Sequence, residues 1–127
     1  MNEGVNRDQM SFSELLAWAW SETPPVHRNR SNLILHLVAV PLFVLGHLLL
    51  TAAFVVDWWV ALDALSLIVV SLVLQAIGHR LEPQQVAAFT GPRDFVRRLY
   101  AEQFCNFWRF LFAGQWLAHL SASSKRL

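Results

Sequence analysis

The run LILHLVAVPLFVLGHLLLTAAFVV, Leu33 to Val56, is followed by Asp57 and then by WWVALDALSLIVVSLVLQAIG, Trp58 to Gly78. A helix of about 20 apolar residues crosses the hydrocarbon of a bilayer, and each run meets that length. A soluble core built by 127 residues has no room to bury two such helices on every face. The chain is therefore expected to be an all-α integral membrane bundle built on a two-span hairpin, about 33–56 and 58–78. Pro41 removes one backbone hydrogen bond and predicts a kink. Asp57, Trp58 and Trp59 mark the far interface, where indole rings settle.

The remaining sequence agrees with that reading. Hydrophobic residues make up 55% of the chain and charged residues 15%, and the charges gather outside the two runs. A net charge of +1 excludes the broad basic field that nucleic acid requires. Cys105 is the single cysteine, so any metal must use histidine or carboxylate ligands. Lys and Arg number three before the first span, none in the turn and seven after the second, which predicts both termini on the cytoplasmic side.

No linker or repeat divides the chain, and no cleaved targeting segment is read in its first thirty residues. Residues 1–127 are expected to form one membrane domain. Its parts are a surface helix and lead-in loop over 1–31, the hairpin with its site over 32–82, and amphipathic, aromatic helices over 83–127. Ser11 or Ser13 caps the first helix, which runs to Glu22 and lies on the membrane surface. Arg93 to Leu120 begins amphipathic, with Phe95, Val96 and Leu99 opposed to Arg93, Asp94, Arg97 and Arg98. It continues as an interfacial or re-entrant helix pair, or as a third span.

A tight hairpin pairs residues whose numbers add to a constant, about 115 for a turn near Asp57. That rule sets His36 beside His79 near the cytoplasmic face, with His27 above and Glu82 one turn beyond His79. Gln75, His79 and Glu82 share one helix face by their i, i+4, i+7 spacing, and lipid is a costly neighbour for that face. Imidazoles with a carboxylate and open positions suit non-haem Fe(II), and zinc accepts the same ligands. The plainer alternative is that these groups only hydrogen-bond across the helix pair. His47, about three turns from His36, reads as a packed core histidine. His119 reads as interfacial, and Asp63 carries no assigned chemistry.

The pattern His27-Arg28-Asn29, Asn32, His36 and Pro41, followed after the hairpin by Gln75-x-x-Gly78-His79-x-x-Glu82, resembles the membrane 2-hydroxy fatty acid dioxygenase family. The resemblance covers about Val26 to Trp116. A fungal member of that family acts in conversion of phytosphingosine to odd-numbered fatty acids. The resemblance implies Fe(2+) held by His27, His36 and His79, with Glu82 as a ligand or as a carboxylate behind the ligands, and Asn32 and Gln75 as orienting groups. Gly91-Pro92-x-Asp94-Phe95 and Glu102-Gln103-Phe104 look like the bacterial branch, which implies the bacterial cytoplasmic membrane rather than the endoplasmic reticulum.

The expected activity is Fe(II)-dependent, O2-consuming removal of one carbon from a 2-hydroxy fatty acid, with Arg28, Arg30 or Arg80 holding the substrate carboxylate. The rival expectation is a non-catalytic membrane scaffold or a haem- or metal-binding protein. Desaturase-type HxxxH and HxxHH boxes are absent from the sequence.

Overall fold

A computed structural model describes residues 6–125, and all regular structure among them is helical. Helix α1 spans Phe12–Glu22, α2 Arg30–Ala53, α3 Trp59–Arg80, α4 Pro92–Ala101, α5 Phe107–Phe112 and α6 Gln115–Lys125. One π turn, Glu102–Asn106, joins α4 to α5, and short 3-10 turns lie at Arg7–Gln9 and Pro24–Val26.

Local chemistry sets the boundaries. Ser11 caps α1 by accepting from the Glu14 amide, and the Glu14 carboxylate returns to the Ser11 amide, a capping box. Asn29 caps α2 through Oδ1 to the Asn32 amide, so this helix begins at Arg30, before the apolar run itself. It ends at Ala53 and stays helical through Pro41. Gly114, with φ 84°, ends the α5 turn and redirects the chain into α6, a conformation that glycine adopts without a Cβ penalty.

Helices α2 and α3 pack along their lengths. A Cβ on Gly46 would meet Ile68 Cγ1 and the Ala64 carbonyl, and one on Gly78 would run into Asn32 Oδ1, so both glycines permit close approach. Ser71 donates to the Ala39 carbonyl at 2.5 Å. The pairs Asn32–Gly78, Ala39–Ser71 and Gly46–Ala64 share one register, centred on Val55 rather than the expected Asp57. The α2–α3 turn, residues 54–58, still contains Asp57.

Both helices are long and apolar enough to cross a membrane, with mean hydropathies of 2.4 and 2.3. Only 33% and 17% of their most apolar windows are buried within the protein, whereas a soluble core helix of this composition would be mostly covered. The interior is mixed, with Leu33, Phe43, Phe107 and Phe110 buried beside many polar groups. His27, Asn32, His36, Ser71, Gln75, Glu82, Asp94, Gln103 and Asn106 are buried, while Leu48, Val69 and Val73 are exposed.

Helix α4 repeats this inversion. Asp94 is buried on Arg7, Arg98 is half-buried, and the apolar side chains Phe95 and Val96 are exposed. No third helix among the described residues is long and apolar enough to span. The α4–α5 run carries Arg93, Asp94, Arg97, Arg98, Glu102 and Arg109, which explains why.

Candidate metal centre

Three imidazoles from three segments meet at the end of the hairpin away from its turn. His36 rides on α2, His79 on the last turn of α3, and His27 on the loop that follows the Pro24–Val26 turn. Their ring centroids are 4.6 to 5.0 Å apart, and the rings stand 78 to 84° to one another. One ring nitrogen of each lies within 4.8 Å of those of the other two.

The opposite nitrogens are held by the backbone. His27 Nδ1 donates to the Thr23 carbonyl at 2.7 Å and His36 Nδ1 to the Asn32 carbonyl at 3.0 Å. His79 bonds to the Val26 backbone. These bonds fix each ring's tautomer and leave His27 Nε2, His36 Nε2 and His79 Nδ1 buried without a partner. Buried polar atoms are almost always hydrogen-bonded, so three unpaired nitrogens in one cluster have a common explanation in a cation. Backbone carbonyls on the far nitrogens are also the usual support of metal-bound histidine. The residues present fit a metal ion.

Glu82 lies outside this group. Its Oε1 accepts from the Arg28 amide at 2.8 Å, the Asn29 amide at 2.8 Å and Asn32 Nδ2 at 2.7 Å, and its Oε2 accepts from the Arg28 amide at 3.0 Å. It fastens the end of α3 to the loop carrying His27. Asn32 completes this clamp through Nδ2 to the Val26 carbonyl at 3.2 Å. Gln75 is buried and exchanges two amide hydrogen bonds with Gln103, at 2.8 and 2.6 Å, while bonding Ser71 at 3.0 Å. Arg80 lines the neighbouring cavity, whereas Arg28 and Arg30 are exposed and do not line it.

The C-terminal helices contribute groups that the sequence left unassigned. Glu102 opens the π turn, and its buried Oε1 lies 3.7 Å from His27 Nε2 with no hydrogen-bond partner. Burial pushes the Glu102 carboxyl up, and the nearby His27 and Arg98 charges and a hydrogen bond with the Thr23 side chain only partly offset this. His119 Nδ1 donates to the His27 carbonyl at 2.7 Å, and Trp116 Nε1 donates to the Leu33 carbonyl at 2.9 Å. His47 is half-buried and joins Phe43 O to the Tyr100 hydroxyl, at 2.8 and 2.7 Å. Asp63 is exposed. Polar residues inside an otherwise aromatic run, Glu102, Gln103 and Asn106, were the available signal that this run turns one face inward.

A cavity of about 620 Å³ opens beside the imidazoles. Val69, Leu72, Val73 and Ala76 of α3 form an apolar wall, Phe95 and Leu99 of α4 face it, and His27, His79, Glu102, Arg80 and Arg98 supply its polar surface. This size and pairing of surfaces suit an amphiphile. Comparison with known proteins finds no matching family model, curated sequence or solved structure.

Proposed function

We propose that the protein is an Fe(II)-dependent membrane dioxygenase that shortens 2-hydroxy fatty acids by one carbon, with both termini on the cytoplasmic side. One observation carries this reading: three backbone-supported imidazoles, two buried and one half-buried, leave three buried, unpaired nitrogens together beside an apolar-walled cavity. The family resemblance of the His27–His36 and Gln75–Glu82 motifs supports the reaction class.

The balanced reaction is R–CH(OH)–COOH + O2 → R–COOH + CO2 + H2O. Iron(II), when bound, supplies electron transfer to dioxygen, which side chains alone do not. His27, His36 and His79 would hold it. Arg80 and Arg98 line the cavity and offer positive charge to the substrate carboxylate, while the α3 wall takes the acyl chain. An amphiphile at this depth keeps its tail in hydrocarbon throughout.

The close, mutually perpendicular imidazoles favour a single ion over a porphyrin between axial ligands. The test is anaerobic purification with metal analysis, followed by 2-hydroxypalmitate and O2, with pentadecanoate and CO2 as the expected products. Stoichiometric iron without turnover would discard the substrate. A metal-free wild type, a Soret band, or unaltered behaviour of His36→Ala and His79→Ala would discard the enzyme in favour of a haem carrier or scaffold.

A further inference from the structure

We propose that Glu102, and not Glu82, supplies the carboxylate of this metal centre as its fourth protein ligand. The inference rests on the metal-binding part of the function proposed above and is independent of the substrate.

The two carboxylates differ in what already occupies them. Glu82 receives two backbone amides and the Asn32 amide, so its charge is compensated within the clamp. Metal coordination would compete with donors that hold the His27 loop in place. Glu102 Oε1 has no hydrogen-bond donor although it is buried, and it lies 3.7 Å from the unpaired His27 Nε2. Two ligands of one tetrahedral ion at about 2.1 Å are themselves about 3.4 Å apart. The observed separation is close to this and too long for a direct hydrogen bond.

The backbone explains how Glu102 arrives there. Adjacent residues of a helix leave it in different directions, about 100° apart in a regular α-helix, so Glu102 and Gln103 reach different partners. In the π turn Glu102–Asn106, Gln103 is buried against Gln75 while Glu102 lines the cavity beside His27. Single π turns recur at functional sites because they re-aim side chains in this way. Gln103 anchors the turn to α3, and Trp108 Nε1 donates to the Gln103 carbonyl at 2.8 Å. Glu102 is thus carried toward the imidazoles on a fixed support. Three imidazoles and one carboxylate make a ligand set that accepts Fe(II) or zinc.

The experiment is anaerobic Co(II) titration of metal-free, full-length protein in detergent, reading affinity and visible d–d absorption. Glu102→Gln is expected to weaken Co(II) binding at least tenfold and to change the spectrum, and Glu102→Asp to recover part of both. Glu82→Gln, if folded, is expected to lose some affinity through the loosened His27 loop but to keep the wild-type band positions, because no ligand changes. Circular dichroism and gel filtration establish folding of each variant. An unchanged affinity and spectrum in folded Glu102→Gln would overturn the proposal and leave a three-histidine centre. A spectral change confined to Glu82→Gln would overturn it in favour of Glu82. Absence of any Co(II) binding by the wild type would remove both this inference and the enzyme reading. A Glu102-dependent centre that does not turn over 2-hydroxypalmitate would sustain the inference and remove only the substrate.

Discussion

His119 Nδ1 donates to the backbone oxygen of His27 across 92 residues of chain, at 2.7 Å. The segment bearing one imidazole of the centre is thereby held from outside the hairpin, and Phe110 packs against both His119 and His27. His119→Phe keeps an aromatic ring beside Phe110 and deletes the hydrogen bond. It is expected to lower metal affinity about tenfold, the lower end for loss of a supporting group around a ligand. Competition against a calibrated chelator measures this, and an unchanged affinity would show that the bond does not position His27.

Glu82 stabilises the fold through three different donors. Glu82→Gln replaces a charged acceptor with a neutral amide and brings its NH2 group among those donors. The expected loss is about 1.5–3 kcal/mol of stability, the range for hydrogen bonds to charged groups. It is measured by chemical denaturation in micelles, where a stability equal to that of the wild type would refute the clamp.

Gly78→Ala places a methyl group against the buried Asn32 side chain. Overpacking of this kind costs about 1–3 kcal/mol, and here the group that must yield is Asn32, which bonds Glu82. The same denaturation assay should therefore show Gly78→Ala combined with Glu82→Gln costing less than the two single losses added together. Strict additivity would separate Gly78 from the clamp.

The Arg7–Asp94 pair gives a pH dependence outside the hairpin. Burial alone would raise the Asp94 carboxyl, but the Arg7 hydrogen bonds, the Thr90 amide and the charges of Arg7 and Arg98 outweigh it and hold it below the usual range. A depressed folded value means that the stabilisation is fully present above the unfolded carboxyl value of about 3.9 and is lost as pH falls through the lower folded value. Trp18, which lies against both the Arg7 and Arg98 guanidinium groups at 4.6 and 5.0 Å, should report that loss by fluorescence on acidification. Asp94→Asn should remove the transition, and its persistence there would assign it to another group.

Metal binding should stabilise the folded chain. A ligand at 100 times its Kd adds about 2.7 kcal/mol, so Fe(II) or Zn(II) should raise the melting temperature and EDTA should lower it again. His36→Ala and His79→Ala should each abolish the shift, whereas His47→Ala should retain it. Equal shifts in all three variants would place the ion elsewhere.

The hairpin was legible in the sequence because two helices long and apolar enough to cross a membrane leave a one-dimensional signature, long apolar runs with a marked turn. His27, His36 and His79 could be brought together because antiparallel helices impose a register, and an error of a few residues in its centre still left them at one end. Helix ends were less legible, since Asn29 capping extends α2 beyond its apolar part. Glu102 and His119 were not legible as site residues. Their placement depends on the path of α4 to α6, and neither the π turn nor the reversal at Gly114 alters hydrophobic periodicity in a readable way.

The separations within the clamp have a consequence for how the protein is made. Glu82 binds residues 53 and 54 positions before it, and His119 reaches back 92. Contacts so distant along a chain form late, because long loops must close first. The hairpin can form while the cavity still lacks its α4 wall, and the cavity closes only when the C-terminal helices dock. Docking of α4 to α6 is thus the step that encloses the imidazoles, and a chain ending before Pro92 would lack Glu102 and His119 beside them.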